Sequence, residues 1–422
     1  MAENYLIIGS GPAGITAAEN IRNLDKKGEI TVISEERVPM FYRPRIPEYA
    51  VGKVEIEDIM VKKLDFYEQN RIRLRLGMRA VKLDKERKIV ETADGQRYGY
   101  DKLLIATGIA PLKPSVPGVK HKGIFTMHDL IQADQVRTFT REVRQVVIVG
   151  GGLLGMDMAE ELKRIGLEVK FLVRRSVLGD PFFDEYGCKL IQEEFTRLGV
   201  NVFTNTEVQA FEGMDSKLAK IVTQDGKRIE SSFCFLSIGA VPAVNWIGES
   251  SLKIDKGVLV DGHLQSSEKE IFSAGNSAQI TDPVSKKQIV QTNWFNASTQ
   301  GHIAGNNMTG SEPIEYKATT NYLKKVGKLS FNLIGWGNAM VEMGQRTYFK
   351  GDNTREYVMI TTTEGVIGGA VVCGLPKVSL KLKEAIEKKR VIPNLEKFIT
   401  QKEGKLDTLL KILAQDLPLE YQ

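Results

Sequence analysis

Two glycine motifs of the form G-x-G-x-x-G, 141 positions apart, constrain this chain more than any other feature. Each follows an apolar run and precedes a helix-like stretch: IIGSGPAGITAAENI at 7–21 and VIVGGGLLGMDMAEEL at 147–162. Such glycines allow a tight turn, close approach of the backbone to a pyrophosphate, and packing of the helix on the strand. Two motifs in one chain therefore predict two dinucleotides held at once, which favours electron transfer between them.

The periodicity around each motif predicts a βαβ unit. The first comprises a strand at 4–8, a helix at 12–24 and a strand at 29–34, and the second repeats this at 146–150, 153–165 and 168–173. Glu35 lies 21 residues beyond Gly14, a spacing typical of a carboxylate that binds an adenosine ribose. The predicted fold class is α/β with two Rossmann-like dinucleotide-binding domains and an α+β C-terminal domain.

Turn signals and composition divide the rest of the chain. The D-G dipeptides within 93–98 and 224–230 predict β-hairpins. The Pro-rich segment 111–118 is interpreted as a linker to the second domain, and 240–245 as the return crossing. From about residue 312 the pattern changes to hairpins and an amphipathic helical tail at 406–422.

Composition excludes several classes of protein. The 422 residues are 42% hydrophobic and 26% charged, which is typical of a globular protein of two or three domains. No apolar run reaches the ~18 residues of a membrane helix, and the N-terminus lacks the pattern of a signal peptide. The three scattered cysteines and four histidines have no metal-ligand spacing, so we expect no metal and a reducing, cytoplasmic location.

The charge pattern leaves two interpretations open. Net charge is +5, and residues 311–422 carry 17 Lys and Arg against 13 Asp and Glu, most densely at 381–390. This run is either a solvated helix face or a docking surface for a small acidic electron-carrier protein. No aromatic residues are interleaved with it, which argues against nucleic acid as a partner.

Five further segments carry a family resemblance. They are FYRPRIPEYAVG (41–52), YDKLLIATGIAPLKPSVPG (100–118), CFLSIGAVP (234–242), EIFSAGNSAQ (270–279) and NWFNASTQGHIAGNNMTG (293–310). With the glycine motifs, this order resembles the FAD-dependent pyridine nucleotide oxidoreductases. These include rubredoxin and ferredoxin reductases, NADH oxidases and the flavin part of NADH-dependent nitrite reductases. The resemblance covers roughly residues 4–310.

The resemblance implies that the first motif binds FAD. A helix beginning near Trp294 would point its N-terminus at the flavin and stabilise the anion formed on reduction. The residues expected to bind FAD are Gly9, Gly11, Pro12, Ala13, Gly14, Glu35, Glu36, Arg43, Pro44, Ala80, Val81, Ala106, Thr107, Gly108, Gly275, Asn276 and Trp294.

The resemblance also implies that the second motif binds NAD(P)H. The arginine pair Arg174–Arg175 slightly favours NADPH over NADH, because a guanidinium matches the geometry of a 2′-phosphate. The residues expected here are Gly150, Gly152, Leu153, Leu154, Gly155, Arg174, Arg175, Ile238 and Gly239. The expected domains are FAD-binding (1–112 and 243–311), NAD(P)-binding (113–242) and a C-terminal interface domain (312–422), in a homodimer or a subunit of a redox complex.

The chain departs from the family pattern at several positions. No cysteine precedes Cys188, so a thiol relay beside the flavin is excluded and electrons must leave directly from the flavin. Asn276 stands in place of the usual Asp, and Asp157 in place of a Glu near the nicotinamide. Glu48 stands where relatives often have the Lys that pairs with that Glu. We therefore expect Asp157, paired with Arg43 or Arg45, to serve catalysis.

These observations predict an FAD flavoprotein oxidoreductase. It would accept hydride from NAD(P)H and pass electrons to a rubredoxin-type, ferredoxin-type or other acceptor. Two alternatives remain open: an NAD(P)H oxidase that uses dioxygen, and a flavin- or nucleotide-binding subunit or redox sensor of a larger complex.

Overall fold

The chain forms two compact units. The first comprises residues 1–111, 128–133 and 240–318, and the second comprises 112–127, 134–239 and 319–422. The computed structural model describes residues 2–282, 286–335, 345–351, 353, 355–391 and 403–414. None of the helices in these ranges is both long and apolar enough to cross a membrane.

A five-stranded parallel sheet forms the centre of the first unit. Its strands, in spatial order, are Ile271–Ser273, Lys102–Ile105, Asn4–Ile8, Glu29–Ile33 and Ile72–Arg75. The central strands of this sheet are largely apolar and lie in the core of the unit, where Ile7, Val32 and Leu104 are fully buried. The predicted strands at 4–8 and 29–34 are confirmed, the second ending one residue early at Ile33.

Two long helices of the first unit, Pro12–Leu24 and Trp294–Met308, pack side by side in the same direction. Glycine is required at their contact, since a Cβ on Gly301 would collide with the backbone of Ala13. Thr16 and Ser298 then share a hydrogen bond of 3.0 Å between their hydroxyl groups. Both N-termini consequently lie at the same end of the unit.

Smaller elements complete the first unit. The three-stranded antiparallel sheet Ala80–Asp84, Ile89–Thr92 and Arg97–Gly99 contains the predicted D-G hairpin. The strand Ile109–Pro111 pairs with Ala240–Pro242, and a small sheet comprises Val258–Leu259, Ala278–Thr281 and Gln288–Ile289. The short helices are Ile46–Ala50, Ile56–Ile59 and Leu64–Gln69. The 3-10 turns are Arg43–Arg45, Asn245–Ser250 and Gly275–Ser277.

The second unit repeats the parallel arrangement. Its sheet has the order Asn201–Phe203, Glu168–Leu172, Gln145–Val149, Cys234–Leu236 and Ile124–Phe125. The helices Leu153–Arg164 and Glu185–Arg197 belong to this unit, and Leu130–Phe139 begins in the first unit and ends in the second. The second D-G hairpin is confirmed within the sheet Val208–Met214, Lys217–Thr223 and Arg228–Glu230.

The C-terminal part of the second unit is a six-stranded sheet with helices. The strands, in spatial order, are Asn321–Val326, Leu329–Gly335, Val366–Cys373, Tyr357–Thr363, Gln345–Lys350 and Glu403–Lys405. The helices are Pro376–Glu387 and Leu406–Ala414. The predicted helical tail is confirmed over 406–414, whereas 415–422 lie outside the described residues.

The predicted linkers and the unit boundaries fall close together. Two of the breaks between the units occur after Pro111 and after Gly239, at the start of the segments interpreted as the linker and the return crossing. One short segment, 128–133, belongs to the first unit although it lies in the predicted NAD(P)-binding range. The separation of 312–422 as a third domain stays a prediction.

Candidate dinucleotide sites

A cavity of about 630 Å³ lies in the first unit where the first glycine motif meets the start of the helix Trp294–Met308. Open α/β sheets bind ligands at the carboxyl ends of their strands, where this motif lies. The predicted residues that line the cavity are Gly9, Gly11, Pro12, Ala13, Glu35, Glu36, Arg43, Pro44, Ala80, Ala106, Thr107, Gly108, Gly275, Asn276 and Trp294. Sequence reasoning therefore found residues of the cavity wall in several separate segments of the chain.

Two predicted residues lie elsewhere. Gly14 is buried behind the cavity, where a Cβ would collide with the carbonyl oxygen of Gly9, so its role is to let the helix approach the strand. Val81 is exposed on the strand Ala80–Asp84 and is not among the lining residues.

The glycine turn leaves space for a ligand. Gly9 has φ of +115°, and a Cβ there would collide with Ala106. At Gly11, in contrast, a Cβ would meet nothing within 4 Å, although this residue lines the cavity and precedes the helix. Free N–H groups at a helix N-terminus bind anions. The open side of Gly11 therefore fits the pyrophosphate of FAD.

Buried amides hold the part of the cavity wall near Trp294 and Asn276. The side chain of Asn293 caps the helix Trp294–Met308 by accepting from Asn296 N at 3.1 Å. Gln300 Oε1 accepts from Gly275 N at 2.7 Å, which fixes the 3-10 turn that carries Asn276. Nε1 of Trp246, another lining residue, is buried with no hydrogen-bond partner in the described part of the chain. The buried amides of Asn293 and Gln300 thus fix the two segments that carry Trp294 and Asn276.

The two predicted arginines have different surroundings. Arg43 lines the cavity, donates to Glu36 Oε1 at 2.7 Å, and also donates to the carbonyl oxygen of His128. Burial, and secondarily the Arg43 charge, lowers the pKa of His128. Arg45 instead bonds Glu48 Oε2 at 2.8 Å and is not among the lining residues.

Sequence reasoning missed the contribution of residues 128–133. His128, Asp129 and Gln132 line the cavity, although their position in the sequence assigned them to the other domain. This short segment has no periodicity or motif, so the sequence carries no signal that it belongs to the first unit.

The second glycine motif repeats the backbone geometry of the first. Gly150 has φ of +108°, and a Cβ on Gly155 would collide with the carbonyl oxygen of Gly150. Gly152 precedes the helix Leu153–Arg164, and a Cβ there would have its nearest neighbours at 3.9 Å. Leu154 lies in the first turn of that helix, and Ile238 and Gly239 follow the strand Cys234–Leu236. The motif can thus bind an anion through its helix N-terminus.

Arg174 and Arg175 follow the strand Glu168–Leu172 of the same sheet. Arg175 bonds Asp180 Oδ2 at 2.5 Å, whereas Arg174 lies 3.8 Å from Glu207 Oε1 and its side chain is largely exposed. Exposed guanidinium groups at the carboxyl end of this strand are available to a nucleotide phosphate.

Asp157 has a partner that the sequence did not indicate. Lys324 Nζ lies 2.5 Å from Asp157 Oδ1 and 2.8 Å from the carbonyl oxygen of Leu153. The arginines suggested for this role bond Glu36 and Glu48 instead, so the expected pairing is corrected to Lys324. Nothing in the local sequence, KKVGK, distinguishes Lys324 from its neighbours.

The three cysteines are free, buried thiols. Burial raises the pKa of Cys188 and of Cys373 to about 12, and it raises that of Cys234 as well. A thiol held protonated is a poor nucleophile. These cysteines therefore act as small core residues.

Two strand–glycine turn–helix units, one of them opening on a large cavity, are typical of the class of α/β proteins that bind two dinucleotides. The chain belongs to the pyridine nucleotide-disulphide oxidoreductase family, whose sequence model matches residues 3–301. It is accordingly an FAD-dependent oxidoreductase that uses a pyridine nucleotide.

Relatives and a solved structure agree with this membership. The chain is 27% identical to NADH-rubredoxin oxidoreductase of Clostridium acetobutylicum, over 92% of this chain and 96% of the relative. It is 29% identical to the epsilon subunit of NADH-dependent phenylglyoxylate dehydrogenase of Aromatoleum evansii, over 74% and 73%. The crystal structure of NADH:rubredoxin oxidoreductase from Clostridium acetobutylicum superposes with a TM-score of 0.78 at 26% identity, covering 97% of this chain and all of that one.

Proposed function

We propose that the first site binds FAD, that the second binds NAD(P)H, and that electrons leave the flavin directly for a small iron–sulfur or rubredoxin-type protein. The observation that carries the proposal is the cavity at Gly11, where a glycine turn and two helix N-termini converge. Bound FAD would supply the conversion of a two-electron donor into one-electron transfers. The protein's own groups bind and orient the two nucleotides.

Particular residues would hold the cofactor. Gly11 and the N-terminus of the helix Pro12–Leu24 would bind the pyrophosphate, and Arg43 would add a positive charge in the same wall. The N-terminus at Trp294 would stabilise negative charge on the reduced ring. Asn276 would accept from a ribityl hydroxyl, as an Asp would, without adding charge.

The choice of a carrier protein as acceptor has two supports. The relative named NADH-rubredoxin oxidoreductase aligns over 96% of its length. No cysteine precedes Cys188, and burial keeps the thiol of Cys188 protonated. A flavin without a neighbouring thiol would pass its electrons directly to an acceptor outside the protein.

Docking of an acidic carrier on the basic run 381–390 belongs to the same proposal. Within this run, Lys383 lies 3.6 Å from Glu387 and Lys388 bonds Glu384 at 2.6 Å. These pairs reduce the positive field that the sequence alone indicates, so we expect moderate and strongly salt-dependent binding.

The anaerobic reaction tests the proposal. Flavin absorbance at about 450 nm should bleach when NAD(P)H is added, and a clostridial-type rubredoxin or a [2Fe–2S] ferredoxin should restore it. Recovery that depends on the carrier supports the proposed acceptor. Equally fast reoxidation by dioxygen alone would indicate an oxidase.

A second candidate is favoured by one comparison. The relative of 29% identity bears the name of a subunit of a larger dehydrogenase. In this case the protein would bind FAD and NAD(P)H but pass electrons to a partner subunit rather than to a free carrier. Flavin reduction without turnover on any added carrier, and recovery of turnover on co-purification with a partner, would identify this role.

The preference for NADPH rests on Arg174 and Arg175. Their guanidinium groups at the end of the second strand suit a 2′-phosphate, although several relatives bear names that specify NADH or NAD⁺. Replacing both arginines by Met should raise KM for NADPH by about tenfold or more while changing that for NADH little. An equal effect on both nucleotides would exclude phosphate recognition.

Self-association and a cytoplasmic location are also proposed. The exposed side chains of Leu323 and Leu380 support an interface on the C-terminal part of the second unit. The free thiols of all three cysteines support a reducing compartment. Sedimentation equilibrium should give twice the mass of the chain, and fractionation of cells should recover the protein with the cytoplasm.

A further inference from the structure

Lys324 is a buried cation at an inward-facing position of the C-terminal sheet. It lies on the edge strand Asn321–Val326, where Val326 is buried while Leu323 and Lys325 are exposed. Its side chain is only 6% exposed. Lysine is almost never buried to this extent unless it is paired.

The pairing of Lys324 joins the C-terminal sheet to the start of the second nucleotide helix. The ammonium group bonds Asp157 Oδ1 at 2.5 Å and the carbonyl oxygen of Leu153 at 2.8 Å. Burial lowers the pKa of Lys324, and the Asp157 carboxylate opposes this shift. Both bonded residues belong to the first five positions of the helix Leu153–Arg164.

Packing alone does not require a charge at this position. A buried ion pair costs desolvation, and an apolar residue of similar volume is often equally stable. The hairpin formed by the strands Asn321–Val326 and Leu329–Gly335 is also bonded to the helix Leu153–Arg164 at its turn. There, Gly327 N donates to Glu160 Oε2 at 3.1 Å. The geometry therefore points to orientation of Asp157, which keeps 42% of its side chain exposed.

We propose that Lys324 is a positioning residue for the nicotinamide nucleotide. By holding Oδ1, it orients the exposed Asp157 carboxylate to accept a hydrogen bond from the nicotinamide carboxamide. The inference rests on the proposed assignment of the second glycine motif to NAD(P)H. In this assignment, Lys324 of the C-terminal sheet supplies the positive charge beside Asp157 that we expected from Arg43 or Arg45.

The test compares two ligands that differ only at the nicotinamide end. Affinities of the oxidised FAD holoenzyme for NAD⁺ and for ADP-ribose are measured by titration calorimetry. NADP⁺ and 2′-phospho-ADP-ribose are used instead if the wild type binds them more tightly. In Lys324→Met we expect NAD⁺ binding to weaken by about tenfold, with ADP-ribose binding unchanged within about twofold.

Matched variants separate positioning from folding. Lys325→Met removes the neighbouring, exposed charge of the same strand and should leave both affinities unchanged. Lys324→Arg should recover most of the NAD⁺ affinity, since it restores a cationic donor. Should Lys324→Met fail to fold, Asp157→Ala, which removes the acceptor itself, must reproduce the selective loss of NAD⁺ binding.

Three results would overturn the inference: equal weakening of both ligands, no weakening of either, or a wild type that binds ADP-ribose as tightly as NAD⁺. A wild type that binds neither ligand would instead refute the nucleotide assignment itself. In a double-mutant cycle, Lys324→Met with Asp157→Ala should be no weaker than either single variant, because the two residues act as one unit.

Discussion

Arg43 donates a hydrogen bond to Glu36 across 2.7 Å, and both side chains line the cavity of the first unit. Glu36 fixes the guanidinium through one nitrogen, and the carbonyl oxygen of His128 binds another. The Arg43 side chain nevertheless remains 40% exposed. Because the Arg43 guanidinium is held in place and still exposed, it can bind an anionic ligand.

Replacing Arg43 by Met should therefore weaken FAD binding by about tenfold or more, because a charge-assisted hydrogen bond is lost. The measurement is the dissociation constant of FAD from fluorescence titration of the apoprotein. Arg87→Met, at an exposed position of a hairpin outside the cavity, is the control and should leave affinity unchanged. Equal FAD affinities in Arg43→Met and the wild type would show that Arg43 does not contribute to cofactor binding.

Gly11→Val tests the space beside the glycine turn. A side chain at this position meets no protein atom within 4 Å, so the fold should be retained while the added methyl groups occupy the cavity. We expect the purified variant to contain little flavin, with a circular dichroism spectrum like that of the wild-type apoprotein. Gly248→Ala, also in open space but outside the cavity lining, should keep its full flavin content. A fully flavinated Gly11→Val protein would contradict the assignment.

Thiol chemistry should be dispensable. Because burial raises the pKa of Cys188 and Cys373 to about 12, almost no thiolate exists at neutral pH. Treatment of the folded protein with N-ethylmaleimide should leave the rate of flavin reduction by NAD(P)H unchanged, and mass spectrometry should detect no adduct before denaturation. Inactivation that parallels alkylation of one cysteine would show that its thiol takes part in the reaction.

A buried carboxyl group should make stability depend on pH. Asp184 accepts from the Tyr357 hydroxyl at 2.6 Å, and burial raises the pKa of Asp184 above its ordinary value of 3.8. The folded state then binds more protons than the unfolded state between pH 3.8 and the raised pKa, so the free energy of unfolding falls as pH rises through this interval. Asp184→Asn should abolish this decrease in urea unfolding measured at several pH values. Parallel curves for the two proteins would contradict it.

The same pair gives a second stability prediction. Tyr357→Phe keeps the buried ring but leaves the Asp184 carboxyl without the hydroxyl that donates to it. We expect the free energy of unfolding to decrease by about 1–3 kcal/mol, the usual cost of an unsatisfied buried group. Urea unfolding at neutral pH measures this change, and a stability equal to that of the wild type would show that the carboxyl finds another donor.

Short-range patterns accounted for much of the fold. The strand Asn4–Ile8 and the helices Pro12–Leu24 and Leu153–Arg164 begin at their predicted residues, because apolar periodicity and glycine spacing act within a few turns of chain. The helix at Trp294 also begins at its predicted residue, since Asn293 caps it. The C-terminal strands were predicted only as general features, because hairpins without a motif do not specify their order in a sheet.

The sequence by itself determined the two nucleotide-binding motifs, a part of the cavity wall and the lack of a cysteine before position 188. Only the tertiary structure decided that Lys324 bonds Asp157 and that Asp184 bonds Tyr357, pairs separated by 167 and 173 positions. Local propensity carries no information about such distances. The packing of buried surfaces selects these partners, because a buried charge or carboxyl must meet a group that satisfies it.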